Sequence, residues 1–348
     1  MTNVRPHTYD EIVYQTAAWT QGLQVLDSQR TAITSLWEGG FDQILFTGCG
    51  STYYLSMAIC ALLRNLTGRE AAAFPASELL LYPRLVYPEI FDRTLLIASS
   101  RSGRTTETLR AVEAFRKQGR GSVLVITNYP DSPLVDMGDV VVGIPEGQEV
   151  GTAQTKSFAS MYLAAVGISS LLAGRPDLYD QLENLIPIGN RLIEEYEGTV
   201  KELAGMEIDR FYYLGSGPRH GLASEVCLKL KEISLTASEP FHFLEFRHGP
   251  VSMVDKKTAV VGLVSEASYS YEVDVLKEVR ELGGHVLSVG EEGVDIAFSS
   301  GLPEPIRGVL YLPLLQLLAY YRATLRGRNP DALNNLEWFI ELDLPPAP

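Results

Sequence analysis

The chain has 348 residues, of which 46% are hydrophobic and 21% charged, a composition that excludes global disorder and fibrous architectures. Its 29 Lys and Arg against 43 Asp and Glu leave a net charge of −14. That balance argues against a nucleic-acid partner, because binding along a phosphate backbone needs a basic surface. The length is typical of two domains.

The number of cysteines and the lack of long apolar segments indicate the cellular compartment in which we expect the protein. The cysteines Cys49, Cys60 and Cys227 are too few and too scattered for a disulfide framework or a metal site. Residues 1–21 carry no apolar signal segment, and no apolar run reaches the roughly 18–20 residues of a membrane span. We therefore expect a cytoplasmic protein with reduced thiols, no bound metal and no membrane partner.

The first half of the chain alternates between helical and extended patterns. Apolar residues at helical spacing predict one or two helices over residues 9–36. Short apolar segments then alternate with helical segments, which is typical of βαβ units and a parallel sheet. The predicted strands are residues 43–46, 71–74, 94–98, 122–127 and 140–144, and the predicted helices are 53–66, 106–118, 151–172 and 179–204.

The same pattern returns in the second half, with predicted strands at 210–214, 258–264 and 285–289 and helices at 221–233, 272–282 and about 310–321. Residues 46–50 match 213–217 at an offset of 167, and residues 94–97 match 258–261 at an offset of 164. These similar offsets indicate a duplicated α/β domain. We predict N-terminal helices (1–34), a first domain (35–175), a helical linker (176–200) and a second domain with a C-terminal tail (201–348).

Two polar turns in the first half predict a site for a small phosphate. Residues 50–52 and 100–105 each follow a predicted strand and precede a helix, at the edge where open α/β sheets bind ligands. Helix N-termini attract anions, although serines and threonines there also serve as plain caps. The repetition of the turn, with Arg101 and Arg104 nearby, favours the phosphate site. Tyr53 replaces the third glycine of a dinucleotide fingerprint, and no GxxxxGK[ST] sequence is present.

A predicted helix in the second half brings charged residues onto one face. Glu225, Lys229 and Glu232 are spaced at i, i+4 and i+7. A carboxylate and an amine on a helix that lines a cleft can move a proton, and the alternative is a solvated salt-bridge face. His248 stands in an Arg-His-Gly-Pro turn, where it is either structural or suited to proton transfer near neutral pH.

Five segments together resemble the sugar isomerase (SIS) domain family, and within it the isomerase half of glucosamine-6-phosphate synthase and its stand-alone relatives. The segments are residues 48–52, 100–103, 151–158, 228–234 and 247–250, in the family's order. The resemblance implies an α/β fold of two tandem flavodoxin-like SIS domains, each a mainly parallel sheet flanked by helices. It also implies a homodimer with a shared active site and no cofactor.

The resemblance implies roles for individual residues. The proton-transfer carboxylate between C1 and C2 falls on Glu232, with Lys229 beside it, and the ring-opening group on His248, commonly contributed by the second subunit. Thr152 and Gln154 lie in a sugar-contacting segment. The substrate is a phosphorylated sugar or amino sugar, bound through its phosphate by residues of the two polar turns, which are Gly50, Ser51, Thr52, Ser100, Arg101, Ser102 and Thr105.

Several positions depart from the synthase. Arg101 replaces Gln, Gln154 replaces Ser, and Trp338 aligns with the C-terminal lysine that binds the substrate carbonyl. The chain begins Met1-Thr2-Asn3, without the N-terminal Cys of a glutaminase, so we expect this chain alone not to use glutamine. We predict a phosphosugar isomerase that releases ammonia or an amine, as a deaminase or a deglycase. The alternatives are an isomerase similar to the synthase that depends on ammonia or a partner, and a catalytically silent sugar-phosphate sensor.

Overall fold

The computed structural model describes residues 5–87, 91, 93–119 and 121–343. The strands in this part of the chain are β1 (Gln43–Gly48), β2 (Ala71–Pro75), β3 (Thr94–Ser100), β4 (Gly121–Thr127), β5 (Val140–Gly143), β6 (Arg210–Gly215), β7 (Ala237–Phe241), β8 (Thr258–Leu263), β9 (His285–Gly290) and β10 (Ile296–Ala297). The α-helices are α1 (His7–Val13), α2 (Thr16–Glu38), α3 (Ser51–Thr67), α4 (Ala76–Leu81), α5 (Pro83–Val86), α6 (Thr106–Gln118), α7 (Lys156–Leu172), α8 (Pro176–Tyr179), α9 (Leu185–Gly205), α10 (Pro218–Ser234), α11 (Tyr269–Glu281) and α12 (Leu312–Leu325).

The strands form two parallel sheets with the same strand order. The first has the order β2-β1-β3-β4-β5, and the second, written in the same direction, is β7-β6-β8-β9-β10. The registers also correspond, because Gln43 pairs with Thr94 in the first sheet and Arg210 pairs with Thr258 in the second. Residues related by the sequence offsets therefore occupy equivalent positions. The predicted fold class of two α/β domains with parallel sheets is confirmed.

The contacts of the chain divide it into two compact units. The first-sheet unit contains residues 17–149, 156–183 and 337–343. The second-sheet unit contains residues 5–16, 150–155 and 184–336.

The first-sheet unit is built on strands that are buried on both faces. Every residue of β1 and β3 is buried, as expected for a parallel sheet covered on both sides. Leu45 and Leu96 from these strands pack with Val112 and Phe115 of α6 in one core cluster. The helix α3 packs against α7, which is buried along nearly its whole length. This packing fixes the carboxyl ends of β1 and β3, where the two polar turns begin.

The second-sheet unit contains a buried helix, α12, that packs against α9 and α10. This helix confirms the buried helix expected near residues 310–321, although residues 304–311 form a 3-10 helix before it. Arg322 of α12 is buried and donates to the carbonyls of Ala204, Met206 and Ile208. Burial lowers the pKa of Arg322 to about 10. The guanidinium thus satisfies one carbonyl in the last turn of α9 and two carbonyls just after it.

Two predicted segments differ from the structure. Residues 151–155 form a loop rather than the start of a helix, and α7 begins at Lys156. The start at Lys156 agrees with a capping contact, because Glu149 Oε1 accepts from the Ser157 N–H in the first turn of α7 at 3.3 Å. In the preceding loop, Glu11 Oε1 accepts from the N–H groups of Val150 and Gly151. The helix predicted from residue 179 begins at Leu185, after a 3-10 turn. None of the helices in the described ranges is long and apolar enough to cross a membrane.

Candidate functional site

The turn after β1 is shaped by two glycines. Gly50 has φ +56°, a left-handed conformation that favours glycine, and it directly precedes α3. A Cβ on Gly48 would lie 2.5 Å from Thr52 Oγ1, so only glycine lets the helix start this close to the strand. Thr52 Oγ1 accepts a hydrogen bond from the Cys49 N–H at 2.9 Å. Ser51 and Thr52 are both buried in the first turn of α3.

The Cys49 thiol in this turn is not an activated nucleophile. Its Sγ lies 3.5 Å from Thr108 Oγ1 of the neighbouring helix α6. Burial raises the pKa of Cys49 to about 11, so the thiol stays protonated at neutral pH. We therefore assign no nucleophilic role to this residue.

The turn after β3 is held by its own serines. Ser100 Oγ accepts from the Gly103 N–H at 3.1 Å, and Ser102 Oγ accepts from the Arg104 N–H at 3.2 Å. Gly103 has φ +61°, and a Cβ there would lie 1.9 Å from Ser132 Oγ. Thr105 directly precedes α6. Because β1 and β3 are adjacent, the two polar turns lie side by side at the carboxyl edge of the first sheet.

Arg101, within this turn, is directed at the protein rather than at solvent. Its side chain is 4% exposed, and one guanidinium nitrogen lies 3.7 Å from Glu149. Another donates to the Trp338 carbonyl, while the guanidinium stacks 4.8 Å from the centre of the Trp338 ring. The Thr106 N–H donates to the Ile340 carbonyl, so the C-terminal segment crosses the start of α6. Arg101 therefore ties this segment to the polar turn.

The charged face predicted on α10 exists and is largely enclosed. The Lys229 side chain is 1% exposed and that of Glu225 is fully buried. Lys229 Nζ lies 2.5 Å from Glu232 Oε2 and 3.5 Å from Glu225 Oε1. Glu232 is 18% exposed, so its carboxylate links the buried ammonium to solvent. The alternative of a solvated salt-bridge face does not hold.

The loop that carries Thr152 and Gln154 is anchored within the second-sheet unit. Thr152 Oγ1 donates to the Asp331 carbonyl at 3.1 Å, and Asp331 in turn accepts from the Thr8 N–H and hydroxyl through its carboxylate. Gln154 Oε1 is enclosed and lacks a hydrogen-bond partner within the described ranges. Glu11 holds the start of the loop, as described above. The loop is thus preorganised by α1 and by residue 331.

His248 lies on the surface of the second-sheet unit. It follows the 3-10 turn Glu245–Arg247 and is exposed. Gly249 after it has φ +132°, which accounts for the glycine in this turn. A different histidine, His220, stacks on His242 with ring centres 3.9 Å apart. Burial, with a smaller contribution from His242, lowers the pKa of His220 to about 4.

The structure brings together some of the predicted residues within each unit. Lys229 and Glu232 are in direct contact, and the serines and threonines of the polar turns share one sheet edge. Glu225 is a third member of the Lys229 cluster that we did not count among the catalytic residues, although its i, i+4 spacing signalled it. Glu149 gave no sequence signal. Among the described residues, no group of three or more His, Cys, Asp or Glu could hold a metal ion.

A family model and known proteins match the sequence of this chain. The SIS domain model matches residues 41–167 and 206–297, which is more than half of the chain. A glutamine–fructose-6-phosphate aminotransferase (isomerizing) of Methanothermobacter thermautotrophicus is 31% identical over 310 residues. The match covers 86% of this chain and 51% of that protein, so the chain spans about half the length of this relative.

Solved structures with the same fold include two from sugar-phosphate metabolism. A glucosamine-6-phosphate deaminase from Thermotoga maritima superposes with a TM-score of 0.78 and 28% identity, covering 92% of this chain and 100% of its own. A tagatose-6-phosphate ketose/aldose isomerase from Escherichia coli has a TM-score of 0.83 and 24% identity, covering 94% and 97%, and shows the fold alone. With the family model matched across both sheets, the chain belongs to the SIS domain family.

Proposed function

We propose that this protein is a phosphosugar isomerase that acts on an amino-sugar or ketosamine 6-phosphate and releases ammonia or an amine. The observation that carries the proposal is the buried Lys229 ammonium between Glu225 and Glu232. A sensor of sugar phosphates needs no such cluster, because binding requires no group that moves a proton. The similarity to a glucosamine-6-phosphate deaminase supports the same class of substrate.

We assign phosphate binding to the two polar turns of the first-sheet unit. Ser51, Thr52, Ser100, Ser102 and Thr105 place hydroxyls and N–H groups at the starts of α3 and α6, where the helix dipoles also favour an anion. The Arg101 side chain is already engaged by Glu149 and Trp338, so we assign it to holding the turn rather than to direct contact with phosphate. Thr152 and Gln154 are assigned to sugar hydroxyls.

We assign the proton transfer to Glu232. Its carboxylate removes the proton on the carbon next to the carbonyl or imine, and the electron pair moves onto the carbonyl oxygen or imine nitrogen, which takes a proton from water to give an enediol or enolamine. The protonated carboxyl then returns the proton to the neighbouring carbon, which completes the isomerisation. Water adds to the resulting imine carbon, and the C–N bond breaks with release of the amine. Lys229 holds the Glu232 carboxylate in place.

Ring opening is assigned to His248, which is exposed and precedes Gly249 with its φ of +132°. An imidazole can move the proton between the anomeric hydroxyl and the ring oxygen near neutral pH. We propose a homodimer in the cytoplasm, in which His248 acts in the active site of the second copy. Its position on the surface is compatible with that role.

A second candidate is an isomerase that makes glucosamine 6-phosphate from free ammonia or with a partner's glutaminase. The similarity to a glutamine–fructose-6-phosphate aminotransferase (isomerizing), over about half of that protein's length, favours it. Both candidates use Glu232 and His248 in the same roles. They differ in the direction of the reaction and in the group on nitrogen.

A panel of C6-phosphorylated substrates separates these candidates. Purified protein is incubated with glucosamine 6-phosphate, with ketosamine 6-phosphates that carry different amines, and with fructose 6-phosphate plus ammonia. Release of ammonia or amine together with a ketose or aldose phosphate supports the leading proposal. Formation of glucosamine 6-phosphate from fructose 6-phosphate supports the second. Saturable binding without turnover of any substrate would establish a sensor instead.

A further inference from the structure

The second-sheet unit contains a counterpart of the polar turn at residues 100–105. It lies between β8 and α11, and β8 occupies the position in its sheet that β3 occupies in the first. The counterpart reads Ser265, Glu266, Ala267 and Ser268. The two units therefore offer equivalent turns at the carboxyl ends of equivalent strands.

Two donors of this second turn, the Ser265 hydroxyl and the Glu266 N–H, converge on one carboxylate of the protein itself. Glu304 Oε1 accepts from the Ser265 hydroxyl at 2.7 Å, from the Glu266 N–H at 3.1 Å and from Arg219 at 2.8 Å. Arg219 lies in the first turn of α10, which follows β6 as α3 follows β1. A hydroxyl, a backbone N–H and a guanidinium on one oxygen are the groups that proteins use to bind a phosphate or sulfate.

A second carboxylate completes the internal pairing of the turn. Glu272 accepts from the Ser265 N–H at 2.7 Å and from the Ser268 hydroxyl at 2.9 Å. The Glu304 side chain is 24% exposed, and an open cavity of about 320 Å³ lined by Ser265, Glu266 and Glu291 lies beside the turn. An anion from solvent could therefore reach the position of the Glu304 carboxylate if that carboxylate were absent.

We propose that Glu304 is a built-in occupant of a second oxyanion site. Its carboxylate takes the place that a phosphate would take, and the wild-type chain has no open oxyanion site at this turn. Replacement of Glu304 by a small residue opens a site for inorganic phosphate or sulfate, held by Ser265, Glu266 N–H and Arg219. The comparison with residues 100–105 rests on the proposed function, whereas the convergence on Glu304 does not.

The test compares inorganic phosphate binding to wild type and to Glu304→Ala by isothermal titration calorimetry and by thermal unfolding, with KCl at equal ionic strength. We expect Glu304→Ala to gain one site per chain relative to wild type, and its melting temperature to rise more steeply with phosphate. Glu304→Gln is the matched control, because its amide oxygen still fills the cradle and accepts from Ser265 and Glu266. Glu281→Ala, at an exposed glutamate of the same unit, controls for the loss of negative charge.

The number of phosphate ions bound per chain is compared between Glu304→Ala and wild type, so the difference does not depend on whether the turn at residues 100–105 also binds phosphate. If the turn at residues 100–105 binds no phosphate, the stoichiometry goes from zero to one, and otherwise from one to two. Crystals of Glu304→Ala soaked in selenate should show an anomalous peak next to Ser265 Oγ. If Glu304→Ala is insoluble, the variant Glu304→Ser is used instead. Its yield of refolded protein is then compared between phosphate and KCl, and equal yields in the two salts count against the proposal. No added site in Glu304→Ala, or an equal gain in Glu304→Gln, would overturn it.

Discussion

The ammonium of Lys229 lies 2.5 Å from the carboxylate of Glu232 on the next turn of α10. The ammonium is enclosed, whereas the carboxylate is partly exposed. A carboxylate that is held by a fixed cation at one oxygen can present the other to a ligand. The pair thus combines a positioning group inside the protein with a proton acceptor at its surface.

Replacing Glu232 by Gln should remove the proton acceptor while keeping the size and much of the hydrogen bonding of the side chain. General base catalysis contributes about 10²–10⁴-fold, so we expect kcat to fall by that order with little change in substrate affinity. The measurement is steady-state kinetics together with solvent-deuterium exchange at C1 and C2 of the bound sugar. Glu281→Gln, at an exposed glutamate of α11, is the control. Turnover at the wild-type rate would exclude Glu232 as the base.

Replacing Lys229 by Met should destabilise the fold much more than the Glu232 substitution does. It removes the ammonium within 3.5 Å of the fully buried Glu225, and breaking a buried ion pair costs about 3–5 kcal/mol. Lys277→Met is the control, because that side chain is 72% exposed and its pair with Glu281 contributes about 0–1 kcal/mol. Urea unfolding measures both values. A further Glu225→Gln change in the Lys229→Met chain should recover part of the loss. Equal losses in the two lysine variants would contradict the assignment.

Much of the fold could be predicted from local patterns. The apolar segments that end in glycine at Gly48 and Gly215 mark β1 and β6, and their spacing of 167 residues is preserved in the two sheets. These glycines are required locally, because in both turns a Cβ would collide with the first turn of the following helix. The positions of the polar turns at the sheet edge follow from the same pattern.

Other features depend on partners that are distant in the sequence. Arg101 meets Glu149 and the C-terminal Trp338, and no spacing rule relates these positions. The edge strand β7 contains Pro240 and lacks an alternating apolar pattern, so its pairing with β6 gave no local signal. Likewise, the sequence predicts a helix over residues 151–155, but they form a loop held by Glu11 and by the Asp331 carbonyl, which are distant in the sequence.

The double substitution Ser102→Ala with Thr105→Ala should weaken binding of the sugar phosphate. Each lost hydrogen bond to a charged group costs about 1.5–3 kcal/mol, so KM should rise at least about tenfold while kcat changes less. Ser28→Ala with Thr34→Ala is the matched control, because those hydroxyls are exposed and donate to carbonyls of their own helix α2. Unchanged affinity for a sugar 6-phosphate would remove the turn from the proposed site. Thermal unfolding of both variants separates lost binding from lost folding.

Mixing two inactive variants tests whether subunits share an active site. His248→Ala and Glu232→Gln chains are unfolded together, refolded and assayed. If the two residues act in one site from different copies, each mixed dimer contains one intact site, and random pairing restores about a quarter of the wild-type activity. Each variant refolded alone is the control. No recovery in a sample that contains mixed dimers, or full wild-type activity in a monomer, would contradict the shared site.

The stacked pair His220 and His242 predicts an acid-sensitive contribution to stability. Burial is the main cause that lowers the pKa of His220 to about 4, from an ordinary value of 6.5. Between these values the unfolded chain binds a proton that the folded chain does not, so the free energy of unfolding decreases as the pH falls from about 6.5 to 4. Above that range, this residue contributes no pH dependence.

His220→Phe should therefore flatten the dependence of stability on pH in this interval. The phenyl ring can still stack on His242, but it has no titrating nitrogen. The measurement is urea unfolding at several pH values between 4.5 and 7.5, in which the slope is compared rather than the absolute stability. His285→Phe is the control, because it makes the same substitution at an exposed histidine at the start of β9. If His220→Phe lost stability in acid as steeply as wild type, the buried neutral state of His220 could not be the source of the acid sensitivity.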